Sequence, residues 1–227
     1  MRQANCYRIA PDEISWSGTE TQSMAERELF TTDTVQLKEC RSVASTSWPS
    51  KARTLYLLSA GELKFENGQV LSQGDLYWCN VDGESFVSGA SGASFYCIEP
   101  LQGIGQEIPS QKISSAELPW EHFADPADRP TQPVQVLMGG SVSALRTRFD
   151  ATFIAGEHWH DFDTLYFISD GRMQFGDEGW FEQGEIRAVH GGHSYGPERP
   201  GTDGVEFVLV SVGGPVVLHW SDLEPPP

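Results

Sequence analysis

Two histidines stand two residues apart in Gly156-Glu157-His158-Trp159-His160-Asp161-Phe162-Asp163. In an extended strand that spacing turns both imidazoles to one face, roughly 6.6 Å apart along the chain. Two neutral imidazoles aimed at one point form a pincer for a single divalent transition metal, and iron, manganese, nickel and zinc all take such ligands. Five of the six histidines follow residue 126, and the sixth is His122. His193 shares a face of its extended segment with Tyr195, and a small slip of the turn makes it the expected third ligand. Tyr195 is expected to supply a hydrogen bond or a proton, and the Thr164 hydroxyl a further hydrogen bond. His190 reads as a turn residue, His122 and His219 as structural, and Trp159, facing away from the pair, as outer packing. Arg146 and Arg148 share one face of a strand just before the pair; they read as solvent-facing charges or as anchors for an anionic substrate.

The elements that must hold these groups repeat. Thr54-Leu55-Tyr56-Leu57-Leu58-Ser59-Ala60-Gly61 returns 110 residues later as Thr164-Leu165-Tyr166-Phe167-Ile168-Ser169-Asp170-Gly171. At the same shift Phe65 falls on Phe175 and Gln73-Gly74-Asp75 on Gln183-Gly184-Glu185. After two inserted residues, Gly89, Gly92 and Phe95 fall on Gly201, Gly204 and Phe207. Each copy reads as an apolar strand, a glycine turn, a second strand, a Gly-acid turn and a return into an apolar run, which are hairpin signals. Short strands buried on at least one side call for closure or sheet-on-sheet packing. Between the copies lies a Pro-rich polar segment with a domain boundary expected near Pro126 to Pro133, and a helical turn is expected in SSAELPWEHFA. A short helix is also expected in SMAERELF near the N-terminus.

The bulk numbers narrow the functions. The 14 prolines, 23 glycines, 7 tryptophans and 12 phenylalanines among 227 residues suit short strands and tight turns. A formal charge of −17 repels phosphate backbones and anionic lipid, so neither nucleic acid nor membrane is an expected partner. No apolar run has the length of a signal-peptide core or a membrane span, and a cytoplasmic protein is expected. Cys6, Cys40, Cys79 and Cys97 form no CxxC pair and read as free thiols.

The stretch from Gly156 to Gly171 resembles the first motif of the cupins, whose core is HxH, three or four residues, Glu, six residues and Gly. Gly184 to Tyr195 resembles the second, a glycine, five residues, Pro-x-Gly, two residues and His. The departures are Thr164 at the glutamate position, His190 at the proline and Tyr195 at the second-motif histidine. In the first copy, Trp48, Ser50 and Ser85 occupy the positions of His158, His160 and Tyr195, and no metal site can be built from them. The resemblance and the repeat together imply a bicupin: an all-β chain of two cupin-type (jelly-roll) small β-barrels in tandem with few short helices. Residues 1–125 would form a barrel without ligands, supporting the second or packing a homodimer face, and residues 126–227 the barrel with the HxH motif. Bicupins include oxygenases, isomerases, lyases and cyclases acting on small acids, sugars or aromatic compounds. A metal-dependent, dioxygenase-type oxidoreductase with a His-rich site and a small-molecule substrate is the expectation; the alternative is a non-catalytic bicupin that binds or senses a small molecule.

Overall fold

A computed structural model of the chain describes residues 5–17, 23–66, 68–122 and 131–221. The chain is all-β: among the described residues the helical pieces are two three-residue 3-10 turns, Pro11–Glu13 and Ser115–Glu117. No helix of the described residues is long and apolar enough to cross a membrane.

Contacts divide the chain into two compact units, one of Asp12–Glu117 and one that joins Met1–Pro11 to Leu118–Pro227. The division expected at 125/126 thus differs in two ways. Strand β1 (Cys6–Ile9) belongs to the second unit, and the change of unit along the chain comes at Leu118, ahead of the expected boundary, most of which lies in residues 123–130, outside the described residues.

The first unit contains β2 (Met24–Thr31), β3 (Val35–Ser42), β4 (Ser47–Pro49), β5 (Thr54–Phe65), β6 (Val70–Ser72), β7 (Leu76–Cys79), β8 (Ser85–Pro100) and β9 (Gln111–Ile113). Its sheet runs β2-β3-β8-β5-β7-β9, with β4 on β8 and β6 on β5. SMAERELF, expected as a helix, is strand β2. Its charges alternate with period two: Glu26 and Glu28 face solvent, while Arg27 is buried on Glu39 at 2.5 Å and stacks on Trp16 at 4.2 Å. SSAELPWEHFA forms the 3-10 turn Ser115–Glu117, and its last two residues lie outside the described ones.

The second unit contains β10 (Val134–Met138), β11 (Val142–Phe149), β12 (His158–Trp159), β13 (Asp163–Phe175), β14 (Gly179–Glu182), β15 (Ile186–Val189), β16 (Glu198–Val212) and β17 (His219–Trp220). The sheet order is β1-β15-β13-β16-β11-β10, with β14 on β13, while β12 and β17 pair apart. Among the described residues the path of paired strands is open in both units, so the closed barrels expected from the repeat are open sheets.

The repeat is real in register. Tyr56 stands opposite Tyr77 in the first unit, as Tyr166 stands opposite Arg187 in the second; Phe65 faces Phe86 as Phe175 faces Glu198. The shared glycine has a physical cause. Gly61 (φ 79°) and Gly171 (φ 70°) bend the long central strands, and a Cβ there would sit 2.2 Å from the Gly92 carbonyl oxygen and 2.4 Å from that of Gly204. Left-handed backbone and a rigid carbonyl both oppose a side chain. Gly171→Ala is therefore expected to destabilise the second unit by about 2 kcal/mol, read by urea denaturation. A loss under 0.5 kcal/mol, on a conventional noise scale of about that size, would show that the strand bends without it.

Candidate functional site

His158 and His160 turn inward from β12 and the turn after it, and both are buried. Their ring centroids lie 5.5 Å apart. Each ring spends one nitrogen on the backbone: His158 Nδ1 donates to the Gly156 carbonyl at 2.8 Å, and His160 Nδ1 to the Val217 carbonyl at 2.6 Å. That fixes the tautomer and leaves a lone pair on each Nε2, as in imidazoles set to ligate a metal. Burial lowers the His158 pKa to about 4; burial first and His158 second lower that of His160 to about 3. Both rings are neutral at physiological pH.

The groups facing these lone pairs decide what the site can do. The Tyr166 hydroxyl oxygen lies 3.4 Å from His160 Nε2 and 2.5 Å from the Tyr195 oxygen. His158 Nε2 lies 3.6 Å from Oε1 of Glu198, a buried carboxyl oxygen with no hydrogen-bond partner. Burial pushes the Glu198 carboxyl up to about 7, against the opposing pull of Arg187 and of the Tyr166 hydroxyl. A nitrogen lone pair and a carboxylate oxygen facing each other in a dry interior repel unless a cation or a proton stands between them. Two neighbouring ligands at about 2.1 Å from one ion lie roughly 3–3.5 Å apart, close to the gap observed.

Around this core lie more buried polar groups. Arg187, wholly buried, bonds Glu178 and lies over the Tyr195 ring at 4.0 Å. Burial also raises the pKa values of Tyr195 and Tyr166, so both phenols keep their protons. Thr164 is buried on β13 opposite Ser211 of β16, and neither hydroxyl has a hydrogen-bond partner.

Of the residues expected at the site, the structure brings His158, His160 and Tyr195 together, with Thr164 on the face of β13 that carries Tyr166. The His158 and Tyr195 rings are 4.6 Å apart and their backbones bridge. His193 is placed differently. It is half-buried, its Nδ1 accepts from Asn5 at 3.4 Å, and with Tyr195 it lines an open pocket of about 490 Å³. His190 bonds Asp163 at 3.2 Å, and His219 lies 3.0 Å from Asp161. Trp159, expected as outer packing, is buried and stacks on His219 at 3.9 Å. Arg146 and Arg148 share the Glu206 carboxylate and lie over Trp120. Among the described residues no three His, Cys, Asp or Glu side chains form a ready-made cage for an ion.

Sequence reasoning missed Glu198 and Arg187. Glu198 opens β16 beyond Gly196 and Pro197, in the stretch where the repeat gains two residues, and that insertion was the available signal. Arg187 is the one charge in the apolar run of β15. The sister unit shows that the fold needs neither. Where the second unit has His158 opposite Tyr195, the first has Trp48 opposite Phe86; Phe86 also fills the place of Glu198, and Tyr77 that of Arg187. Trp48 stacks on Phe95 at 5.2 Å, and the first interior is filled with aromatic rings.

No protein-family model and no curated protein matches the chain. Solved structures do match in fold. A Lactobacillus farciminis oxalate decarboxylase formate complex superimposes with a TM-score of 0.67 at 11% identity over 96% of this chain and 90% of that one. The E. coli protein Ylba gives 0.68 at 13% identity over 91% and 90%. A tryptophan variant of Bacillus subtilis oxalate decarboxylase gives 0.64 at 11% identity over 96% and 79%. The fold is of the cupin type. Identities this low carry the fold alone.

Proposed function

We propose that the chain is a bicupin whose second unit is a metal-dependent enzyme of the dioxygenase type acting on a small organic molecule, while the first unit has lost its ligands. The observation that carries this reading is the unbonded Glu198 oxygen facing the His158 Nε2 lone pair at 3.6 Å. His158, His160 and Glu198 would hold the ion, a two-histidine, one-carboxylate set that suits iron(II) and leaves positions open. Glu198 replaces His193 in that set because His193 is bonded to Asn5. Rotations about side-chain bonds, chiefly of His160 away from Tyr166, would complete the grip. The bound ion would supply Lewis acidity and a place to orient substrate and dioxygen.

The chain's own groups do the rest. Tyr195, protonated and beside His158, donates a hydrogen bond to substrate, and the unpartnered Thr164 hydroxyl offers another. The apolar side chains of Phe175, Phe207 and Leu209 exclude water from the same interior. A non-catalytic module that binds a small molecule is the second reading, favoured by the absence of a ready-made cage among the described residues.

Metal analysis by atomic emission on untagged protein reconstituted anaerobically with iron(II) separates the two. About one ion per chain is the expected result. Below one tenth of an ion, a threshold on the order of trace contamination, the binding module alone remains.

A further inference from the structure

Arg187 is charged where its counterpart, Tyr77, is not, and its donors are only partly used. Nε and Nη2 bond Glu178 at 2.8 and 2.5 Å and Nη2 also donates to the Cys6 sulfur at 3.4 Å, while Nη1, equally buried, is left without a well-formed hydrogen bond. A buried guanidinium with an idle donor is costly unless something accepts from it. The guanidinium carbon lies 4.0 Å from the Tyr195 ring centre, and Tyr195 in turn lies 4.6 Å from His158, so the guanidinium stands one ring away from the proposed centre. The charges point the same way. A divalent ion together with Arg187 exceeds Glu178 and Glu198 by one positive unit, and buried charge calls for a partner.

We propose that Arg187 anchors the substrate through an anionic group, and that the substrate class is a compact monocarboxylate whose carboxylate meets Nη1. The proposal rests on the metal-centred reading above. Glu178 then holds the guanidinium in place from the side of the open pocket, which both Glu178 and Tyr195 line.

Titration calorimetry with acetate as the probe tests this, on manganese(II)-loaded and on chelator-treated protein. Acetate is expected to bind the loaded protein and to bind at least tenfold more weakly to Arg187→Met, with manganese affinity held within about threefold. Glu178→Gln leaves the guanidinium but removes its competing carboxylate, and is expected to tighten acetate binding by about threefold or more. Because Glu178 is partly exposed, that variant decides the matter if Arg187→Met does not fold. Manganese binding with acetate absent, or with acetate affinity indifferent to both substitutions, overturns the anchor and leaves the metal site standing. Failure of manganese to bind the parent protein overturns both.

Discussion

Protein carrying His158→Ala together with His160→Ala is expected to retain less than about a tenth of the ion bound by the parent, by atomic emission after dialysis, because two of the three proposed donors are gone. Both rings contribute an Nε2 lone pair with the other nitrogen committed to a carbonyl, so neither can be replaced by a tautomer shift elsewhere. The fold is expected to survive. Trp48 and Ser50 occupy these positions in the first unit without any imidazole, so the fold does not depend on the rings. The two alanines nevertheless leave a cavity and the Gly156 and Val217 carbonyls without their donors, so in chelator the variant should still unfold cooperatively but be less stable than the parent by about 2–4 kcal/mol. Unchanged metal content in a folded double variant would move the site away from these residues.

Glu198→Gln is expected to lower metal affinity by about a hundredfold or more, since a neutral amide oxygen replaces the charged donor opposite His158. His193→Ala, by contrast, should leave affinity within about twofold, a difference on the order of 0.4 kcal/mol, because that ring is engaged with Asn5. In metal-free protein the sign reverses. The Glu198 carboxyl, pushed up to about 7 by burial, lies above its unfolded value of 4.5. Below pH 4.5 both states are protonated and the group imposes no penalty; as pH rises toward 7 the unfolded chain loses its proton first, and native stability is lost. Glutamine has no such proton. With chelator present, the variant should match the parent near pH 4.5 and exceed it at pH 8 by on the order of 3 kcal/mol, measured by urea denaturation. Equal stability at both pH values would mean that the carboxylate is already paired.

The sequence shows most of the scaffold and half of the chemistry. The repeated Thr-Leu-Tyr run is legible because strand pairing keeps its register: Tyr56 and Tyr166 meet equivalent neighbours 110 residues apart. His158 and His160 are legible because period-two geometry is local. Glu198 is not, because it reaches the pair from a different strand after Gly196 and Pro197 have shifted the chain, and adjacency between strands leaves no spacing rule in the sequence. Arg187 looks like a stray charge in β15 until three rings are seen around it, those of Tyr195, Phe175 and Tyr166. The charged run of β2 misleads in the other direction, since its helix-favouring residues pair across a strand in which Arg27 meets Glu39.

Strand β1 lies along β15, Cys6 opposite Val189 and Ile9 opposite Ile186. Residues 6–9 are synthesised long before their hydrogen-bonding neighbours, so during translation they must wait, unpaired, while the first unit can already assemble. Cutting the chain at the linker would leave β15 with a bare, apolar flank open to other chains, and the histidine-bearing half would be released without the ribbon that finishes it.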